Sequence, residues 1–315
     1  MKRLLLILLA AAPLPAQQSA PVFRADVSLV RIDVGFDSAP RTREPLKAED
    51  FMVRDTGRPQ AIRHIAHTET PLDLILLFDI SGSMEPGIAK VAEGARAALA
   101  ELRPGDRVAV YSFSNVMLRL LAFTQDLELV RRCLEEVVPG MPFGGGTPLR
   151  PAIHETARLF PPHEGQDRRR GVLVITDNRG QDSGIPVEQT IGNLWKADVV
   201  VTGLVLRVPG SPSGPFPIGV TRGARQAIHR QKYGASMDEI ASATGGEMLY
   251  TRQPERDFQN VLHRLRQRYS LYFEPPPGQP GELRTVQVEL TREALRRTGR
   301  VKLQARTGYR LPGLD

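Results

Sequence analysis

One carboxylate and two hydroxyls stand at alternate positions in the short stretch Asp79-x-Ser81-x-Ser83. These side chains offer hard oxygen donors, which suit Mg²⁺ or Mn²⁺ better than Zn²⁺. Gly82, between the two serines, permits a tight turn. The stretch alone is a weak signal, because serine and aspartate are also ordinary turn residues. It becomes a candidate metal site if the fold brings further oxygen donors to it.

The element in front of this stretch is an uninterrupted apolar run from Leu74 to Phe78. The run is too short to cross a membrane and has no polar face. Such a run is typical of a central parallel strand that is buried on both sides. Open α/β sheets bind their ligands just beyond the carboxyl ends of such strands. We therefore expect Asp79 and the two serines to lie at a binding edge of the sheet.

Two later stretches offer matching donors. A glycine-rich loop, Phe143 to Gly146, presents Thr147 just before a predicted helix, and a second buried strand, Val172 to Thr176, ends in Asp177. Each candidate also has a simple structural role. The aspartates can cap the turns or helices after their strands, the serines can be turn hydroxyls, and Thr147 can cap the helix that begins at Pro148. If these simple roles explained all five residues, five independent coincidences would have to occur in the correct order along the chain.

The three stretches together resemble the von Willebrand factor A (VWA) family, whose metal-ion-dependent adhesion site has the pattern D-x-S-x-S, then T, then D. The positions that match it are Asp79, Ser81, Ser83, Thr147 and Asp177. The resemblance implies a divalent cation, Mg²⁺ or Mn²⁺, bound directly by the serines and directly or through water by the other side chains. It also implies an open coordination position, which the Asp or Glu carboxylate of a protein partner fills without covalent chemistry.

The residues after Asp177 depart from the family pattern. The family often has glycine at once, whereas this chain has Asn178 and Arg179 before Gly180. A positive charge at Arg179 would weaken the affinity for a cation, and pairing with Asp182 is the alternative. The departure therefore concerns the metal affinity more than the ability to bind a metal.

Apolar strands alternate with helical patterns from Leu72 to about Tyr269, which predicts a mostly parallel, doubly wound α/β sheet. The segment Asp50-Phe-x-Val-x-Asp-x-Gly57 and the ending Arg306-Thr-Gly-Tyr309 resemble the flanking parts of bacterial secreted VWFA-related domain proteins. The flanking β-strand segments are expected to form one small sandwich, although the sequence also allows two separate units. The predicted division is an N-terminal β region at 22–70, a VWA domain at 71–269 and a C-terminal β region at 270–312.

One stretch of the α/β region, 207–236, is rich in proline and glycine and predicts a loop insertion. It follows the predicted strand Val199 to Leu206, so it should project near the metal edge of the sheet. Two roles remain open for it. It either helps to select the partner or is a tolerated surface insertion.

The start of the chain predicts export. Residues 1–16 combine a basic beginning with an apolar core from Leu4 to Ala12, which is typical of a cleaved signal peptide. No cysteine follows the apolar core, so a secreted or periplasmic protein is expected rather than a lipoprotein. The net charge of +7 favours acidic neighbours such as an anionic cell envelope. The single cysteine, Cys133, excludes an internal disulfide framework and is expected to be buried.

Three alternatives to metal-dependent binding find less support in the sequence. A metal-dependent hydrolase is the main alternative, but no G-x-S-x-G surrounds the serines and no H-E-x-x-H occurs. His154 is expected to be exposed on its helix. Nucleic-acid binding is not expected, because the basic clusters at 168–170 and 264–268 lack interleaved aromatic residues, and we expect both clusters to be solvated. A metal-free structural scaffold is the remaining alternative.

Overall fold

The computed structural model describes residues 29–42, 44–162, 167–180, 184–207 and 236–311. The predicted signal segment, residues 208–235 of the predicted insertion, and Asp182 lie outside these ranges. Within the described ranges, no helix has both the length and the apolar character needed to cross a membrane.

The described ranges contain fourteen strands, which are numbered in chain order. Their bounds are β1 Val30–Phe36, β2 Phe51–Asp55, β3 Arg58–Gln60, β4 Ile62–His67, β5 Leu72–Asp79, β6 Arg107–Phe113, β7 Met117–Thr124, β8 Arg169–Thr176, β9 Val199–Leu206, β10 Met248–Thr251, β11 Tyr269–Phe273, β12 Leu283–Leu290, β13 Leu303–Gln304 and β14 Gly308–Arg310. The described helices are α1 Glu85–Leu99, α2 Leu127–Arg132, α3 Leu149–Thr156, α4 Val187–Lys196, α5 Ser236–Thr244, α6 Pro254–Arg266 and α7 Arg292–Thr298.

A central sheet of six strands has the order β10-β9-β8-β5-β6-β7. Its neighbours are parallel except for β7, which pairs with β6 in the antiparallel direction at one edge. All residues of β5 are buried, because α1 and α6 cover one face of the sheet and α3, α4 and α5 cover the other. The predicted α/β class, with a doubly wound and mostly parallel sheet, is confirmed.

The two flanking β regions pair with each other in two antiparallel sheets. One sheet has the order β13-β1-β11-β4 and the other has the order β14-β12-β2-β3. The pairing brings Val30 opposite Phe273 and Leu290 opposite Phe51. Apolar side chains of both sheets share one core, so they form a small sandwich into which the α/β domain is inserted.

The two motifs that resemble flanking regions meet inside this sandwich. The Tyr309 hydroxyl donates a hydrogen bond to Oδ2 of Asp55 over 2.7 Å. The motif around Asp55 forms a strand, a turn and a second strand, with left-handed φ angles of 47° at Thr56 and 78° at Gly57. The N-terminal and C-terminal β regions are thereby joined through a buried polar contact.

Most arginines of the two basic clusters are buried, and only Arg168 and Arg264 are partly exposed, so the expectation of solvated clusters was wrong. Arg169, Arg266 and Arg268 expose only 2%, 3% and 4% of their surface. Their guanidinium groups bond to main-chain carbonyls, and one Arg268 nitrogen contacts carbonyls of Asp33 at 3.2 Å and Gln304 at 2.9 Å. Arg266 and Arg268 connect the α/β domain with the flanking β regions, whose carbonyls come from distant parts of the chain and are not revealed by the local sequence.

Helix α7 was not predicted, although its ends carry recognisable signals. The Thr291 side chain accepts a hydrogen bond from the backbone N–H of Ala294 at 3.2 Å, as an N-cap residue does. Gly299, with φ 79°, ends the helix. The Asp126 side chain caps α2 by accepting hydrogen bonds from the N–H groups of Glu128 and Leu129, and Cys133 is buried as predicted.

Candidate metal centre

Asp79 ends the central strand β5, and its side chain is fully buried. Its Oδ1 accepts a hydrogen bond from the backbone N–H of Ser81 at 2.9 Å, and its Oδ2 accepts one from the Thr176 hydroxyl at 2.7 Å. Burial raises the pKa of Asp79 to about 6, although these hydrogen bonds act in the opposite direction. The charged form of this carboxylate would be stabilised further by a nearby cation.

The two serines occupy the turn that follows Asp79. A short 3₁₀ turn, Gly82–Met84, holds them, and the backbone N–H of Met84 donates to the Ser81 carbonyl at 2.9 Å. Their hydroxyl oxygens lie 3.3 Å apart. Neighbouring ligands of an octahedral Mg²⁺, each about 2.1 Å from the ion, are separated by about 3 Å. The spacing of the hydroxyls therefore suits adjacent positions around such an ion.

Asp177 follows β8, the strand beside β5. The register pairs Phe78 with Ile175, so Thr176 lies beside Asp79 and Asp177 lies just beyond. Oδ1 of Asp177 accepts a hydrogen bond from the backbone N–H of Arg179 at 3.1 Å. Its Oδ2 is buried without a hydrogen-bond partner among the described residues. A buried and unsatisfied carboxylate oxygen is costly, and a metal ligand is one role that explains it.

Thr147 is held near this edge by contacts of the glycine-rich loop. The Gly144 N–H donates to the Ile80 carbonyl at 3.0 Å, which ties the loop to the serine turn. The Gly146 N–H donates to Oδ1 of Asn115 at 2.8 Å. A Cβ at Gly180 would lie 3.3 Å from the Thr147 carbonyl oxygen, so the segment after Asp177 packs directly on Thr147.

The five predicted ligands thus lie on three segments that contact one another at the carboxyl edge of the sheet. Two carboxylates and three hydroxyls form an all-oxygen donor set, which fits a hard divalent cation. The structure shows no group of three or more His, Cys, Asp or Glu side chains that could hold a metal in the described part of the chain. The candidate centre contains only two residues of these four types, Asp79 and Asp177, because its other three donors are hydroxyls.

Three contributors to this edge were missed in the sequence. Thr176 is a polar residue at the end of an apolar strand, which is a signal that could have identified it. Asn115 lies on the short β6–β7 connection, far from the other residues in sequence, and carries no comparable signal. Tyr250 is the third, and its hydroxyl lies 3.4 Å from the Asn178 amide nitrogen.

His154 is buried, contrary to the expectation of an exposed position. Its Nδ1 lies 3.3 Å from the Thr190 hydroxyl and its Nε2 lies 3.0 Å from the Asn193 amide nitrogen. Both partners belong to α4, so the imidazole joins α3 to α4. The expectation failed because α4 covers the face of α3 on which His154 lies.

Comparison with known proteins identifies the α/β domain. Residues 74–181 match the family model of the von Willebrand factor type A domain. No curated protein matches the chain significantly.

Several solved structures are similar to the chain. An aerotolerance-related membrane protein from Bacteroides fragilis is 21% identical, with a TM-score of 0.46 over 62% of this chain and 98% of its own. A von Willebrand factor type A protein from Catenulispora acidiphila is 14% identical, with a TM-score of 0.47 over 92% of this chain and 75% of its own. A third structure is that of proximal thread matrix protein 1 from the mussel byssus, with a zinc-occupied MIDAS motif. It is 15% identical, with a TM-score of 0.49 over 68% of this chain and 50% of its own.

The family match begins in β5 and ends shortly after Asp177, so it contains all of the predicted ligands. The sheet built from this region is doubly wound, with helices on both faces. Residues 74–181, which hold all of the predicted ligands, therefore match the von Willebrand factor type A domain family.

Proposed function

We propose that this protein is a metal-dependent binding module that captures an Asp or Glu carboxylate of a protein partner. The observation that carries the proposal is the pair of hydroxyls of Ser81 and Ser83, 3.3 Å apart, beside the buried Asp79 carboxylate. The cation that this donor set fits best is Mg²⁺ or Mn²⁺. The proposed ligands are Asp79, Ser81, Ser83, Thr147 and Asp177.

Each proposed ligand has a defined part in this function. The serine hydroxyls bind directly as neutral donors, and the two carboxylates supply negative charge. Thr147, on its glycine-rich loop, completes the protein's share of the donors. The bound cation would attract a partner carboxylate strongly, because the buried edge has a lower dielectric than water. Binding in this way neither makes nor breaks a covalent bond.

We further propose that the protein works outside the cytoplasm, as a secreted or periplasmic adhesion or interaction protein. The signal-like composition of residues 1–16 supports this location. The net charge is +7, or +5 without Lys2 and Arg3 of the signal-like segment, and it favours contact with an anionic envelope surface.

A titration of the purified protein with MnCl₂ and MgCl₂ by calorimetry tests the metal site. We expect saturable binding by the parent and a loss of at least about 10-fold in affinity for Asp79→Asn and Ser83→Ala. Ser38→Ala and Glu274→Gln change exposed residues away from the site and should bind like the parent. A folded parent that binds neither metal, with or without sodium acetate, would favour the metal-free scaffold.

The partner class needs a second experiment. Peptides with an accessible glutamate or aspartate should bind the metal-loaded protein, and EDTA should release them. Matched glutamine and asparagine peptides should not bind. Metal-dependent cleavage of ester or phosphoester substrates, lost in the Asp79→Asn variant, would favour the hydrolase instead.

A further inference from the structure

We infer that Arg179 is a built-in competitor of the cation for the Asp177 carboxylate, so that metal uptake is coupled to capture of the partner's carboxylate. The inference rests on the proposed metal-dependent binding. It assigns a role to the residue at which the chain departs from the D-x-S-x-S, T, D pattern of the family.

Arg179 contacts both oxygens of Asp177. Its backbone N–H donates to Oδ1 at 3.1 Å, and its guanidinium Nε lies 3.3 Å from Oδ2. The Asp177 side chain is 1% exposed and the Arg179 side chain is 25% exposed. The carboxylate is therefore inside the edge, and the guanidinium covers it from the solvent side.

The backbone on both sides of Arg179 is held in place. Asn178 has φ 56°, in the left-handed region, and its N–H donates to the Thr176 hydroxyl at 3.0 Å. Gly180 packs so closely that an added Cβ would lie 2.7 Å from the Cβ of Leu149. The turn thus directs residue 179 back over Asp177, and the contact follows from the backbone path.

The contact is an incomplete ion pair. Arg179 Nε and Nη2 and Asp177 Oδ2 are all buried without a hydrogen-bond partner among the described residues. Arg107 and Asp73 show the complete alternative, in which two guanidinium nitrogens donate to the two carboxylate oxygens at 2.8 and 2.7 Å. Because charge pairs gain most of their strength from such hydrogen bonds, the Arg179–Asp177 pair is weak enough to be exchanged.

A divalent cation bound at Asp177 Oδ2 would take the oxygen that the Arg179 guanidinium contacts, and the two charges would repel at such short range. Metal binding therefore requires the partly exposed Arg179 side chain to turn outward. From an outward position the guanidinium can pair with the free oxygen of the incoming carboxylate. The partner thus stabilises the metal-bound arrangement, and the metal stabilises the partner complex to the same extent.

The test compares Mn²⁺ affinities, by calorimetry, of the parent, Arg179→Gln and Arg179→Lys, each with and without an acidic peptide. We expect Arg179→Gln to bind Mn²⁺ about 10-fold more tightly than the parent, because the competing charge is gone. We expect the peptide to raise the Mn²⁺ affinity of the parent more than that of Arg179→Gln. Arg63→Gln is the matched control, because Arg63 pairs with Glu274 at 3.2 Å on the exposed surface of the sandwich and should leave Mn²⁺ affinity unchanged.

Thermal melting supplies an independent result. In EDTA, Arg179→Gln should melt at a lower temperature than the parent, because the buried Asp177 carboxylate loses the positive charge of the guanidinium. Excess Mn²⁺ should raise the melting temperature of Arg179→Gln more than that of the parent. Arg179→Lys keeps the charge and should behave like the parent, which separates charge from a folding defect. Equal Mn²⁺ affinities of the parent and Arg179→Gln would overturn the inference and leave the proposed function intact. Absence of binding by both, in folded samples, would overturn both.

Discussion

The Thr176 hydroxyl donates a hydrogen bond to Oδ2 of Asp79 over 2.7 Å, and both side chains are 0% exposed. The same hydroxyl oxygen accepts a hydrogen bond from the backbone N–H of Asn178 at 3.0 Å. One buried side chain thus orients the carboxylate after β5 and also fixes the turn that follows Asp177. Thr176 is a positioning residue of the candidate metal centre, although the D-x-S-x-S, T, D pattern does not include it.

Thr176→Val tests this positioning role. The substitution keeps the shape of the side chain, but it removes a hydrogen bond that lowers the pKa of Asp79. We expect Mn²⁺ affinity at pH 7 to fall about 10-fold, with partial recovery at pH 8 as Asp79 loses its proton. Thr202→Val, in the buried strand β9, is the control for a general threonine effect. An unchanged affinity with a normal melting temperature would contradict this role.

The raised pKa of Asp79 predicts a pH dependence of the metal-free protein. The pKa of Asp79 is about 6 in the folded protein and its ordinary value is 3.8, so the folded protein holds this proton more tightly than the unfolded chain does. The associated stability is complete below about pH 4 and is lost as the pH rises through about 6. Asp79→Asn removes this contribution. The loss of unfolding free energy between pH 4 and pH 7 should therefore be larger in the parent, by up to about 3 kcal/mol.

Urea denaturation in EDTA at several pH values measures this difference. Other carboxylates titrate in the same range, so the comparison with Asp79→Asn is what isolates Asp79. Parallel pH profiles of the two proteins would show that Asp79 has an ordinary pKa. With Mn²⁺ present, we expect the affinity of the parent to fall as the pH drops below about 6, because protons then compete for the same carboxylate.

Asn115→Ala tests the support of the threonine loop. Asn115 Oδ1 accepts the Gly146 N–H at 2.8 Å, directly before Thr147. Without this bond the loop gains conformational freedom, and binding has to order Thr147 again. We expect Mn²⁺ affinity to fall by about 3- to 10-fold, which corresponds to the net value of one hydrogen bond. Val116→Ala, on the same connection but exposed, should have no effect. A full loss of stability would instead indicate a role in the fold.

Arg268→Met tests the buried connection between the α/β domain and the sandwich. The substitution removes the guanidinium and leaves the carbonyls of Asp33 and Gln304 without this donor. We expect the unfolding free energy to fall by about 2 to 4 kcal/mol, since buried acceptors lose their partner. Urea denaturation measures this change, with the exposed Arg292→Met as the control. If both variants are as stable as the parent, the guanidinium contributes nothing to the connection.

The sequence predicts the position of the candidate site well because a local pattern determines it. An apolar strand followed by Asp79 and two serines places polar side chains at the carboxyl edge of a buried sheet. The role of Arg268 has no such pattern, because its partners are main-chain carbonyls that every residue carries. Those carbonyls reach Arg268 only after strands from the two ends of the chain have paired. His154 was misjudged for a similar reason, since its cover comes from a separate helix.

The insertion of the α/β domain into the sandwich has a consequence for the order of folding. Arg266, at the end of α6, donates hydrogen bonds to the carbonyls of Thr68 and Thr70, just before β5. The chain therefore enters and leaves the α/β domain at neighbouring points. Once that domain has folded, β4 and β11 are already close together. The entropic cost of bringing these two strands together across the long segment between them has then been met. The α/β domain should thus fold first, and the sandwich should close only when both ends of the chain are available.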